Sequence, residues 1–210
     1  MHTLYFSPGA ASLVVHWLLI ELDIPHELRQ LDLAAGEHKQ PEYLALNPAG
    51  VVPTLVIAGV AHAETAALVM HLADSHPAAG FAPALGSPDR ARYYEAIVRC
   101  ANGLQPAFRR WFYPDSVSDT GDAAALRSGV QQQIEACFAR FDADLADGRC
   151  YLLGESISAA DFLLTMLMRW SRNMPKPATE FPHLAGLAAR MKARPSFERL
   201  YAQEGLTEWA

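Results

Sequence analysis

Few residues in this chain are grouped as chemistry requires. Its eight histidines have no metal-ligand spacing, and its three cysteines, Cys100, Cys137 and Cys150, stand far apart with no C-x-x-C. No G-x-S-x-G elbow, phosphate-cradling glycine loop or dinucleotide fingerprint is present. The informative stretch runs from Asn47 to Thr65. There Val51-Val52-Pro53 sets a proline directly before the apolar, largely β-branched run Thr54-Leu55-Val56-Ile57. Proline cannot donate to a strand ladder, so it belongs at the entry of an edge strand or at a bend. The N–H and C=O of Val52, just ahead of it, then face outward as a docking edge for an extended peptide. The Val52-Pro53 bond has both isomers open to it.

The elements around this stretch read as two domains. His2 to Phe6 predicts a strand, broken by Ser7-Pro8-Gly9, and Leu13, Val14, Trp17, Leu18 and Glu21 follow at helical spacing. A second strand over Glu27 to Asp32 completes a parallel strand-helix-strand unit. Leu33 to Lys39 reads as a polar turn, and Pro41 to Leu46 as a short helix. Thr54–Ile57 and Val60–His62 flank Ala58-Gly59 as an antiparallel hairpin, and Glu64 opens a helix ending near His76-Pro77. Residues 1–78 therefore predict a mixed α/β domain, and Pro77, Gly80, Pro83, Gly86 and Pro88 punctuate a linker over 79–87.

Residues 88–210 read as helical throughout. Ser87 with Pro88 starts a helix to about Phe112, kinked at Gly103 and Pro106. Ile134, Phe138, Phe141 and Leu145 form a core stripe. Ser158 with Asp161 three residues on makes a capping box, stapled by Ile157 and Phe162. Leu184, Leu187 and Met191 form another stripe, and Arg194-Pro195-Ser196 starts a last helix.

Composition narrows the class. A net charge of -6, a pI near 5.7 and no Lys/Arg cluster leave no electrostatic footprint for nucleic acid. Met1-His2-Thr3-Leu4-Tyr5 does not begin a secretory signal, and no stretch is apolar and long enough to span a bilayer, so no membrane association and a cytoplasmic location are expected. The cysteines fit small buried apolar residues.

Taken together, a small α/β domain with a Val-Pro turn and a Glu-Thr helix start, followed by a helical domain with Ser-x-x-Asp, resembles the cytosolic glutathione transferases over nearly the whole chain. Leu4-Tyr5-Phe6-Ser7-Pro8-Gly9-Ala10-Ala11-Ser12 is similar to the opening of the bacterial beta class. Gly36-Glu37-His38-Lys39, Asn47-Pro48-Ala49-Gly50 and Val52-Pro53 resemble segments shared more widely. The resemblance implies a thioredoxin-like N-terminal domain that binds glutathione as co-substrate, an all-α C-terminal domain that supplies the acceptor pocket, and a homodimer without metal. It implies that Val52, ahead of Pro53, pairs its backbone with the cysteinyl part of glutathione, and that Glu64 and Thr65 hold the γ-glutamyl end. A helix start can receive that carboxylate while Glu64 takes the ammonium. His38 and Lys39 would face the glycyl carboxylate; a solvated turn explains them as simply.

The implied chemistry is attack by the glutathione thiolate on a small apolar electrophile. A free thiol titrates near about 8.5, and lowering that by about two units takes roughly 2.7 kcal/mol. A hydrogen bond to the charged sulfur supplies roughly 1.5–3 kcal/mol, and a helix N-terminus about 0.3–1 kcal/mol. One hydroxyl at the first helix therefore suffices. Here the chain departs from the beta class: Ala11 stands where that class has its cysteine, Phe6 where it has a tyrosine, and Gln105 where it has a histidine. Ser12 is the expected donor, with Ser7 and Tyr5 in reserve; a plain N-cap explains Ser12 equally well. Gln105, Trp111, Phe112, Trp170 and Arg172 are the expected acceptor-pocket residues, with core packing the competing explanation for the aromatics. Other activities stay open on the same fold: glutathione-dependent peroxide or disulfide reduction, isomerisation, dehalogenation, or binding without catalysis.

Overall fold

Leu4 and Phe6 alternate inward along β1 (His2–Phe6), which gives the first strand its buried face. A computed structural model of the chain describes residues 1–114 and 123–209. In it β1 lies between β2 (His26–Gln30), parallel, and β3 (Thr54–Ile57), antiparallel, and β4 (Val60–His62) closes the edge in the order β2-β1-β3-β4. The parallel pair and the hairpin are those predicted. The hairpin turns at Ala58 and Gly59 with φ of 49° and 83°, the two left-handed positions that a two-residue turn needs.

Helix α1 (Leu13–Glu21) has no polar face: every residue from Leu13 to Ile20 is buried. Such a helix must be covered all round. The sheet's Leu4, α3 (Thr65–Ser75) and α9 (Pro195–Glu204) supply apolar cover in the same compact unit. That unit comprises Met1–Ala82 with Lys192–Ala210. The final helix, expected with the helical domain, thus belongs to the α/β unit. Trp17 Nε1 donates to Ser196 Oγ at 2.8 Å, and Glu21 accepts from both Arg194 and Ser196. The short α2 (Pro41–Leu44) completes the unit.

The second unit is Pro83–Met191. The helix expected to run to about Phe112 with a kink at Gly103 and Pro106 is α4 (Pro88–Arg99), a π-helical stretch Cys100–Leu104, and α5 (Gln105–Phe112). Pro106 has no N–H, and its ring would crowd the carbonyl of Asn102 in an α-helix; the wider turn removes that conflict. Helix α6 (Ala123–Asp144) buries Ile134, Phe138 and Phe141, with Leu145 just beyond it, as its spacing predicts. Helix α7 (Ala159–Trp170) is buried almost throughout and is started by the predicted capping box, in which Asp161 Oδ2 accepts from the Ser158 N–H and hydroxyl at 2.8 Å each. Helix α8 (Pro182–Lys192) follows. No described helix is long and apolar enough to cross a membrane.

Candidate active site

The loop between α2 and β3 is built to hold one short backbone edge open. Tyr43 donates its hydroxyl to the Val51 carbonyl at 2.6 Å, Asn47 Nδ2 donates to the same oxygen at 2.8 Å, and both reach Thr54 Oγ1 at 2.8 and 3.2 Å. Burial raises the Tyr43 phenol above its ordinary value and keeps it a donor. Lys39 Nζ donates to the Gly50 carbonyl at 2.6 Å and the Ala49 carbonyl at 3.4 Å. Gly50 has φ +57°, and a Cβ there would stand 2.8 Å from Lys39 Nζ and 2.9 Å from the His38 carbonyl. Only glycine fits that corner.

After this brace comes Val52, and the Val52-Pro53 bond is cis. Among the described residues neither the Val52 N–H nor its C=O meets a hydrogen-bond partner. The antiparallel register pairs Tyr5 with Thr54. Followed two residues further, past the end of the ladder, that register leads to Ser7 on one chain and Val52 on the other. The open edge therefore adjoins the turn after β1.

That turn carries the three expected donors in unequal states. Ser12 is fully buried; its Oγ accepts from the Ser7 N–H and donates to the Ser7 carbonyl, both at 3.2 Å, and does not cap α1. Its single proton is thus committed. Ser7 is half-buried, and among the described residues its own hydroxyl has no partner. Tyr5 is pleated away from Leu4 and Phe6 and sets its ring 5.6 Å from that of Tyr43. Helix α1 starts at Leu13, directly after this turn, so its positive end adds to any anion held there.

At the far end of the hairpin, Glu64 is exposed and takes φ 69°, ψ 103°, outside the regions an L-residue favours, while Thr65 is buried as the first residue of α3. Such strain is held at functional positions. His38 is half-buried, its Nδ1 is buried without a partner, and burial first and Lys39 second hold its ring below the ordinary value, hence neutral. Lys39 is the cation of that pair.

The expected acceptor residues divide. Phe112 and Trp170 meet edge to face at 6.1 Å, and both rings contact Phe108, at 5.9 and 5.7 Å. Phe112 is 46% exposed. Trp111 lies apart, with the Arg127 guanidinium 6.0 Å from its ring centre. Arg172 reaches back to the Arg169 carbonyl at 3.3 Å, and Gln105 is the half-buried first residue of α5. Beside the turn that carries the expected donors, the sequence did not point to His16 and Glu204, a buried pair at 2.8 Å, or to Gly9, whose N–H reaches Glu204. The signal was present: Phe197, Leu200, Tyr201 and Glu204 share one helical stripe, which puts a carboxylate on the buried face.

Comparison with known proteins identifies the family. Residues 10–75 match the family model for the glutathione S-transferase N-terminal domain, and residues 124–200 the model for its C-terminal domain. A glutathione S-transferase of Xanthomonas campestris pv. campestris is 32% identical over 97% of this chain and 98% of its own. A glutathione transferase homologue from Sulfitobacter, solved with bound glutathione, superposes with TM-score 0.89 at 28% identity over 99% of both chains. A sphingomonad glutathione S-transferase complexed with glutathione superposes with TM-score 0.85 at 30% identity over 98% of this chain and 100% of the other. With both family domains in order and full-length relatives on either side, the chain belongs to the glutathione S-transferases, as a bacterial-type member and an enzyme of that family.

Proposed function

We propose that the protein binds glutathione as co-substrate, activates its thiol and transfers the sulfur to small apolar electrophiles. The strongest support is the open Val52 backbone, whose register leads to Ser7. A tripeptide pairing its cysteinyl amide and carbonyl with Val52 sets its sulfur toward the one unpartnered hydroxyl of the turn. Glu64 and the start of α3 take the γ-glutamyl ammonium and carboxylate, and Lys39, with neutral His38, takes the glycyl carboxylate.

Ser7 Oγ is the assigned thiolate donor, helped by the α1 N-terminus, and Ser12 holds the turn. The thiol proton leaves to solvent. The thiolate sulfur then bonds to the electrophilic carbon, and the leaving group departs with the electrons of its own bond. Together the hydroxyl and helix end supply about 2–4 kcal/mol, against roughly 2.7 kcal/mol for two units of acidification. The working form is a homodimer, with Tyr94 and Val98, exposed one turn apart on α4, among the apolar residues it would cover.

Retention on immobilised glutathione and conjugation of an aryl halide test this directly. Binding with turnover is expected; no binding at millimolar glutathione would overturn it. Turnover of hydroperoxides but not aryl halides would replace conjugation with reduction.

A further inference from the structure

Helix α9 ends on a residue that ordinary helix rules reject. Glu204 is its last residue, where the helix dipole disfavours an anion, and its side chain has 0% exposure. A carboxylate is kept in such a place only when its oxygens are satisfied by donors. Here Oε2 accepts the Gly9 N–H at 2.8 Å, and Oε1 lies 2.8 Å from His16 Nδ1. His16 is also fully buried, with Nε2 2.9 Å from Gln203 Oε1 and its ring 5.8 Å from Phe6 and 5.5 Å from His26. Gly9 takes φ 69°, a left-handed conformation that glycine adopts without cost.

A residue 195 positions along the chain thus grips the turn that carries Ser7 and Ser12. Ser7 and Ala10 close that turn, the Ala10 N–H meeting the Ser7 carbonyl at 3.1 Å. Gly9 sits inside it. The geometry points to Glu204, backed by His16, as a positioning residue of the thiol-activating turn: it fixes Gly9, and through Gly9 the placement of the Ser7 hydroxyl and the first amides of α1. This rests on the proposed thiol activation, which Glu204 serves without touching glutathione. Binding groups at Val52, Glu64 and Lys39 lie on other elements, so Glu204 governs activation far more than affinity.

Glu204→Gln keeps the side chain's shape but offers one oxygen where two are used; Glu204→Ala removes the grip. In both, checked as folded by circular dichroism, the pH profile of kcat/KM for conjugation should move alkaline by about one unit, roughly tenfold less activity on its acid side. KM for glutathione should change less than kcat. Hydrogen exchange at the Gly9 amide should accelerate in Glu204→Ala. Unmoved profiles in folded variants, or a lowered melting temperature alone, would overturn the proposal and leave Glu204 a structural tie. Ultraviolet absorbance of the bound thiolate separates the two levels. A wild-type protein that binds glutathione without forming thiolate refutes the activation chemistry. Unchanged Gly9 exchange in Glu204→Ala refutes the positioning alone.

Discussion

Replacing Ser7 and Ser12 separately by alanine should give opposite signatures, because the two hydroxyls occupy different hydrogen-bonding states. Ser12→Ala deletes both bonds that its buried Oγ makes to the Ser7 backbone. The Ser7 carbonyl keeps the Ala10 N–H, but the Ser7 N–H loses its acceptor. An orphaned donor costs about 1–3 kcal/mol. At about 2 kcal/mol, a chain of this size melts about 4–8 °C lower. Ser7→Ala removes a half-buried hydroxyl and should change stability by less than about 0.5 kcal/mol. It removes the proposed donor to the sulfur, about 1.5–3 kcal/mol, which raises the kinetic pKa of the bound thiol by about 1–2 units. Paired thermal melts and pH profiles of kcat/KM read both effects on the same preparations. A Ser12→Ala protein that melts like wild type yet shifts its profile would give the donor role to Ser12. If neither profile moves, the donor is the Tyr5 phenol or a backbone amide of α1, and the assignment made from the free hydroxyl fails.

Glu64→Ala should raise KM for glutathione about tenfold or more, the equivalent of one charge-assisted hydrogen bond at about 1.5–3 kcal/mol, with little change in the thiol's pH profile; isothermal titration measures it. Gly50→Ala places a Cβ 2.8 Å from Lys39 Nζ at a φ of +57°, so it should loosen the Val52 edge, cost about 1–3 kcal/mol of stability and weaken glutathione binding, read by melting and titration together. Asp161 is fully buried, and burial, against the hydrogen bonds it accepts, pushes its carboxyl up to about 6. The folded state therefore holds this proton more tightly than the unfolded state, and stability falls as pH rises from about 4 to about 6. Urea midpoints of wild type and Asp161→Asn should reflect this: the wild type's advantage should shrink by about 3 kcal/mol between those limits, and a constant difference would refute the sign.

Sequence alone reaches those parts of the fold whose signals are local. The strand β1, the Ala58-Gly59 hairpin, the capping box at Ser158 and the buried stripe of α6 each follow from residues within one or two turns of each other. The break of α4 from α5 is signalled by Pro106, but its form, a π turn, depends on how the flanking turns settle around a missing N–H. The open edge at Val52 is legible because a proline fixes it. The Tyr43 and Asn47 brace behind it is not, since neither side chain belongs to a periodic pattern. The apolar stripe of the last helix says that it must be covered and not by what. Its partners are α1, through Trp17 and Ser196, and the turn at Gly9.

The same contrast separates binding from activation in the site itself. Residues assigned to glutathione lie at backbone edges and helix starts, positions that prolines and glycines mark in the sequence and a strained Glu64 marks in the structure. The proposed activation of the thiol depends on where a turn of small residues is held, and its local bonds are joined by a distant one. Ser12 reaches back five residues, and Glu204 reaches across 195. Ala11 offers no side chain that can bond to the substrate sulfur covalently. Thiolate stabilisation then falls to non-covalent groups, each of which loses its effect with small displacement. A chain that relies on such groups must spend buried polar contacts on rigidity, and the fully buried pair of His16 and Glu204, behind a half-exposed Ser7, is where the proposed mechanism places them.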